Sequence, residues 1–218
     1  MKIYTHYSDS HRSMYDNFKY TLRNIYTKEQ VTIRCLYHPQ TTQSGSFMTP
    51  GWLDSMEYKL NLILDAIDEN KDSWFIFADC DVQFFKPFID DLENVLQNTD
   101  IACQEDRGSL CAGFFACSSN NKTLNLFSTI KNNFRNLVND QVALNKFQNL
   151  ATCKMLDSKK YFTIGNFFNN SNGTFNWDNT TNIIPPKEII IHHANYVVGV
   201  DNKQKNLEMI RKNYETLV

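Results

Sequence analysis

What this 218-residue chain lacks narrows its function before any motif is read. No apolar run approaches the ~18 residues of a membrane-spanning helix, which argues against an integral helical membrane protein. Neither sign of charge is in excess. With 22 basic and 24 acidic residues the formal net charge is -2, and there is no electrostatic footprint for nucleic acid. The six cysteines (Cys35, Cys80, Cys103, Cys111, Cys117, Cys153) include no C-x-x-C pair. Scattered mostly through apolar stretches, they predict reduced, buried thiols rather than disulfides or zinc ligands. The opening Met1-Lys2-Ile3-Tyr4-Thr5-His6 has no apolar leader core, so the expectation is a soluble, cytoplasmic chain.

The hydrophobic pattern alternates between the periods of strand and helix. Strands are expected over residues 2–7, 31–37, 74–78, 101–104, 112–116 and 188–193. Helices are expected over 10–25, through Met56, Leu60, Leu64 and Ile67, and over 88–96, 122–137, 140–150 and 203–218. Such alternation predicts an α/β fold of three α/β/α layers, Rossmann-like, around a mostly parallel central sheet. No repeat, linker or composition shift divides the chain, so residues 1–218 read as one domain. The last helix carries no stop signal, as would a domain cut from a longer polypeptide. Residues 165–186 contain seven asparagines, Gly173 and Pro185-Pro186, and predict an irregular loop, either a lid or acceptor surface or an insertion without a role.

The most informative stretch is Trp74-Phe-Ile-Phe-Ala-Asp79-Cys80-Asp81-Val-Gln-Phe-Phe85. An extended backbone sends alternate side chains to one face, so Asp79 and Asp81 can point at a single ligand. Two converging carboxylates repel unless a cation lies between them, and hard oxygen ligands suit Mg²⁺ or Mn²⁺. The plainer reading is a turn with two solvated aspartates. In an open α/β sheet, however, the carboxyl ends of strands are where ligands bind.

Further along stand Cys111-Ala112-Gly113-Phe114-Phe115, then Asn139-Asp140-Gln141-Val142-Ala143-Leu144-Asn145, then His193-Ala194-Asn195 with Gly199 and Lys203. With the D-x-D strand and in this order, they resemble the GT-A glycosyltransferases, in particular the nucleotide-diphospho-sugar transferase family with its H-x-N…G…K tail. The resemblance runs from Tyr4 to Lys203 and implies an enzyme whose donor is a nucleotide-diphosphate sugar, a UDP-sugar by expectation. The acceptor would be a glycan or glycoprotein, and the cofactor Mn²⁺ or Mg²⁺.

By that resemblance Asp81 binds the metal directly, Asp79 contacts the ribose or reaches the metal through water, and His193 is the third ligand, with His192 as the fallback. Lys203 would neutralise the β-phosphate, and Lys59 would face the diphosphate. Thr5 and Tyr7 would hold the base at the end of the first strand. Gly113 would admit the donor sugar, and Gly199 would belong to the donor site. Asp140 and Gln141 would lie against the donor sugar and the acceptor hydroxyl, in a reaction expected to retain the anomeric configuration. Asp140 also opens a helix, where a carboxylate is a good N-cap. Two other readings compete. The string Phe75-Ile76-Phe77-Ala78-Asp79-Cys80-Asp81-Val82 also fits the nucleophile strand of haloacid-dehalogenase-like phosphatases, which place it first in the sheet. A non-catalytic nucleotide-sugar-binding module would keep the fold without the chemistry.

Overall fold

The computed structural model describes residues 1–43, 45, 49–167 and 176–218. In chain order the elements are β1 (Lys2–Tyr7), α1 (Arg12–Arg23), β2 (Thr32–Tyr37), α2 (Trp52–Glu69), β3 (Trp74–Ala78), β4 (Val82–Phe84), α3 (Ile89–Leu96) and β5 (Ile101–Asp106). They continue with β6 (Ser109–Ser118), α4 (Asn121–Asn133), α5 (Asp140–Phe147), β7 (Cys153–Met155), β8 (Tyr161–Thr163), α6 (Ile164–Phe167), β9 (Ile191–His193) and α7 (Val200–Glu215).

Six strands form the central sheet in the order β2-β1-β3-β6-β5-β7. β1 runs parallel to β2 and β3, and β5 runs parallel to β7, whereas β6 is antiparallel to both of its neighbours. The sheet is therefore mostly parallel, with β6 as its reversed strand. Alternation along each strand divides the core between the two faces. Tyr4, Phe75, Phe77, Ile101, Cys103, Phe115 and Cys117 pack on one side with α2, α4 and α5. Ile3, Ile76, Ala78, Ala102, Phe114 and Ala116 pack on the other with α1 and α3. This is the expected three-layer α/β/α arrangement.

A second sheet, β4-β9-β8, was not anticipated. Each of its strands has three residues, too short to display a period in the sequence. It fixes the position of β9, which pairs antiparallel with β4, the strand directly after the D-x-D. The strand expected over 188–193 is confined to Ile191–His193, because the preceding residues close a turn in which the Ile189 N–H donates to the Pro186 carbonyl at 3.1 Å. Of the loop expected over 165–186, residues 168–175 lie outside the described residues, and 165–167 are helical.

Behind β9, His192 is fully buried and its Nδ1 lies 3.0 Å from Gln83 Nε2, which donates to it. Burial, then the neighbouring His193 charge, holds its pKa down at about 3. The unfolded chain, with a histidine pKa near 6.5, therefore binds a proton between about pH 6.5 and 3 that the folded chain refuses, so stability falls as pH drops through that window. The expected contribution is on the order of 1.4 kcal/mol per pH unit. In metal-free urea titrations, His192→Gln should lose less stability between pH 7 and 4.5 than the wild type. Equal losses would show that His192 is not the group responsible.

Candidate active site

The D-x-D stands in a turn between β3 and β4, not within the strand. The Asp79 N–H donates to the Gly113 carbonyl (2.7 Å), and the Val82 N–H donates to the Asp79 carbonyl (3.1 Å). Convergence of the two carboxylates thus comes from a turn pinned to β6 rather than from strand alternation. The Ala194 N–H donates to the Asp81 carbonyl (3.1 Å), which stitches the end of β9 onto the same turn. His193 Nε2 then lies 3.3 Å from Asp81 Oδ1. One ligand atom each from Asp79, Asp81 and His193 lies within 4.8 Å of the others, close enough to share one cation. His192, on the opposite side of β9, does not join them.

Gly113 explains how the group fits together. A Cβ there would stand 2.2 Å from His193 Cε1 and 2.9 Å from Asp79 Oδ2. The space that the sequence reading reserved for a donor sugar is occupied by the ligand side chains themselves.

Two lysines complete the electrostatics. Lys59, buried on α2, places Nζ 3.1 Å from Asp79 Oδ1 and 2.9 Å from Asp140 Oδ2. Burial opposes its charge, but Asp140 and then Asp79 outweigh burial and hold its pKa above the ordinary lysine value. Lys203, on α7, pairs with Asp81 Oδ2. Burial works against the Asp81 carboxylate, yet Lys203 and His193 hold its pKa well below the usual range. The same pairing with Asp81, against the opposing effect of burial, pushes His193 up to about 10. Without a metal, the group therefore contains an imidazolium. Gly199 precedes α7 with φ 89, a left-handed conformation that favours glycine, and its carbonyl accepts from the Lys203 N–H.

These residues line a cavity of about 830 Å³. Tyr7, Lys59, Asp79, Asp81, Gly113, Asp140, Gln141, His193, Gly199 and Lys203 all reach its wall. Thr5 does not: it is fully buried behind His6, which does. One face of Tyr7 is already stacked on Tyr15, with centroids 4.4 Å apart, and its hydroxyl accepts from Arg12. Asp140 is the first residue of α5 but not its cap. Asn139 takes that role, its side chain accepting from the Val142 N–H at 2.7 Å. With the capping function assigned elsewhere, what the structure gives Asp140 is its ion pair with Lys59. Gln141 bridges two strands: its Nε2 donates to Asp106 Oδ2 (2.8 Å), and its Oε1 accepts from the Ala112 N–H (3.2 Å).

Several wall residues escaped the sequence reading. Asp106 ends β5, and burial pushes its pKa up despite the Gln141 amide. Its signal was Glu105-Asp106-Arg107-Gly108, an acidic strand end before a turn. His6 and His38, with Nδ1 and Nε2 3.2 Å apart, come together only because β1 and β2 pair in register. Asn195, which the sequence placed in the H-x-N…G…K tail, holds the α6 backbone, its Oδ1 accepting from the Gly165 N–H at 3.0 Å.

A carboxylate–carboxylate–imidazole group at the carboxyl end of a mostly parallel sheet marks the class: an α/β protein whose pocket wall carries a group that could hold a metal ion. The chain belongs to the nucleotide-diphospho-sugar transferase family, whose model matches residues 19–207. Among curated proteins none matches it in sequence. Several solved glycosyltransferases share the fold. One, involved in glycosylation of the major capsid of PBCV-1, superposes with TM-score 0.62 at 10% identity, over 95% of this chain and 98% of the other. The galactosyltransferase LgtC, in complex with donor and acceptor sugar analogs, gives 0.57 at 10% identity, over 100% and 96%. GlyE of Streptococcus pneumoniae TIGR4 gives 0.56 at 12% identity, over 99% of this chain and 62% of GlyE, so this chain spans less than two thirds of that protein. The shared fold is GT-A.

Gly113→Ala tests the packing account directly. The added methyl must move His193 or Asp79, so affinity for a divalent ion at this group should fall roughly tenfold or more, as when a ligand's supporting contact is lost. Unchanged affinity in a metal titration would mean that the ring and carboxylate do not sit against this glycine.

Proposed function

We propose that this chain is a divalent-metal-dependent glycosyltransferase, hexosyl or pentosyl. It moves a sugar from a nucleotide-diphosphate donor, a UDP-sugar, to a hydroxyl of a glycan or protein-linked sugar, with retention of the anomeric configuration. Residues 1–218 act as one domain in this reading. The observation that carries it is the Asp79–Asp81–His193 group, gathered within 4.8 Å on the wall of a pocket that also presents Lys203 and Asp140. The phosphatase alternative needs its aspartate pair on the first strand, whereas here two strands precede β3.

The donor set fits Mn²⁺, since two carboxylates make it hard while the imidazole favours a transition ion over Mg²⁺. When bound, the ion supplies Lewis-acid stabilisation of the charge that grows on the departing diphosphate. Asp81 and His193 would hold it directly, and Asp79 would contact the ribose or reach the ion through water. Lys203, released from Asp81, serves the β-phosphate as a point charge. Lys59 keeps Asp79 and Asp140 in fixed relation and faces the same diphosphate. Tyr7 borders the base end together with His6, and Thr5 supports them from behind. Gly199 aims α7, and with it Lys203, at the donor. Asp140 and Gln141 face the reacting sugar and the acceptor hydroxyl, with Asp106 fixing the Gln141 amide.

The direct test is a panel of nucleotide sugars with Mn²⁺, scored by donor hydrolysis and thermal stabilisation. A true donor binds the folded state and raises Tm. Release of inorganic phosphate from phosphomonoesters, with no donor stabilising the chain, would overturn the reading.

Asp140→Asn should lower glycosyl transfer by roughly a hundredfold or more, because it removes charge and basicity while keeping shape. Donor affinity should stay near wild type and the α5 cap is untouched, since Asn139 provides it, while melting temperature should drop because buried Lys59 loses one of its two carboxylate partners. A near-normal transfer rate would remove Asp140 from the chemistry.

Lys203→Met should have opposite effects on two affinities. Removing the ammonium that occupies Asp81 should tighten Mn²⁺ binding without nucleotide, and losing the phosphate contact should weaken UDP binding with Mn²⁺ present. Calorimetric titrations moving in the same direction would contradict the exchange of partners assigned to this lysine.

A further inference from the structure

Nothing above assigns a role to the thiol of Cys111. It is buried on β6, with its Sγ 3.5 Å from His193 Nδ1. That is hydrogen-bonding distance for sulfur, and it engages the ring nitrogen that points away from Asp81. Two residues on, the Gly113 N–H donates to the same sulfur at 3.4 Å. β6 therefore offers the His193 ring two things from alternate positions: empty space at Gly113 and a polarizable acceptor at Cys111.

A histidine that ligates a metal must present one bare nitrogen to the ion while its other N–H is held by an acceptor. His193 Nε2 is the nitrogen beside Asp81, so Nδ1 has to carry the hydrogen. We propose that Cys111 is the positioning residue for the metal ligand His193, its sulfur accepting the Nδ1–H so that the Nε2 lone pair faces the cation. The inference rests on the metal-site reading given above and deepens it. It also explains why a polarizable side chain occupies this strand position. A carboxylate here would put a further negative charge beside Asp79 and Asp81, and an aliphatic side chain would leave the buried Nδ1 without this acceptor. Sulfur is a weak acceptor that fills its place as a small hydrophobe does.

The experiment measures Mn²⁺ affinity of the whole chain without nucleotide, for wild type, Cys111→Val and Cys111→Ser, together with Tm in chelator. Valine keeps the bulk and removes the acceptor, while serine restores one. Cys111→Val should bind Mn²⁺ roughly tenfold or more weakly, with a metal-free Tm near wild type, and Cys111→Ser should recover most of the affinity. A folded Cys111→Val variant that binds Mn²⁺ as tightly as wild type overturns the proposal, as does a serine variant no better than valine. If Cys111→Val lowers the metal-free Tm, the serine-to-valine ratio of affinities decides, and a ratio near one overturns it. A wild-type chain that binds no divalent ion overturns the metal reading, and this inference with it. Loss of binding in His193→Ala but not in Cys111→Val overturns this inference alone.

Discussion

Burial of like charge is the constraint on which the rest of this site depends. Asp79, Asp81 and Asp140 meet at the carboxyl edge of the sheet, where the last two are almost closed off from water. Three carboxylates so placed repel one another and lose hydration, and burying an uncompensated charge is among the most costly events in folding. Lys59 answers Asp79 and Asp140, while Lys203 and His193 answer Asp81. Taking away one partner of such a buried pair costs roughly 3–5 kcal/mol. The arrangement is therefore a poor way to stabilise a fold and makes sense as a site held ready for a ligand that exchanges charge with it.

Each partner arrives from a different part of the chain, and β6 is where they are brought together. Because it is reversed between β3 and β5, its middle lies beside the D-x-D turn. The Gly113 carbonyl holds Asp79, the Ala112 N–H holds Gln141, and Leu110 exchanges two backbone hydrogen bonds with the Asn145 side chain of α5. Through these bonds one strand fixes the metal turn and the D-Q helix at the same time. The small β4-β9-β8 sheet does the remaining work, carrying His193 to the same point from far along the sequence. A wholly parallel sheet would place no strand centre beside the turn.

The legibility of these features follows their physical scale. β1 and β3 stand at the residues read from the sequence, because five or six extended residues with β-branched and aromatic side chains are long enough to show a strand pattern. β4, β7 and β8 were missed because three residues define no period. Asp79, Asp81 and His193 were readable because acidic and imidazole groups at strand ends are chemically conspicuous. Their convergence was attributed to the wrong cause, strand alternation instead of a turn. Asp106 went unseen because β5 was read as ending at residue 104, two residues before the carboxylate. Cys111 looked like any thiol in an apolar strand, and only the approach of β9 reveals its contact. His6 and His38 belong to separate strands whose register no local pattern specifies. Asp140 was credited with capping a helix that the preceding asparagine caps.

Without ligands, Asp79, Asp81 and Asp140 face Lys59, Lys203 and His193, and the protonated form of His193 that Asp81 favours balances the charges. Under the proposed function, a divalent ion and a nucleotide sugar bring two positive and two negative charges, which also cancel, but His193 must surrender a proton to ligate the metal. The loaded site is then left with one net negative charge in a pocket of low dielectric, where such a charge acts strongly. Cleavage of a glycosidic bond places developing positive charge on the sugar while the diphosphate becomes more negative. A bound ion and Lys203 would meet the second change, and Asp140, paired with Lys59 on the same pocket wall, would meet the first. On this reasoning Asp140 needs no unusual basicity to be useful. Its side chain, held in place by the ion pair with Lys59, would serve as a fixed charge facing the sugar.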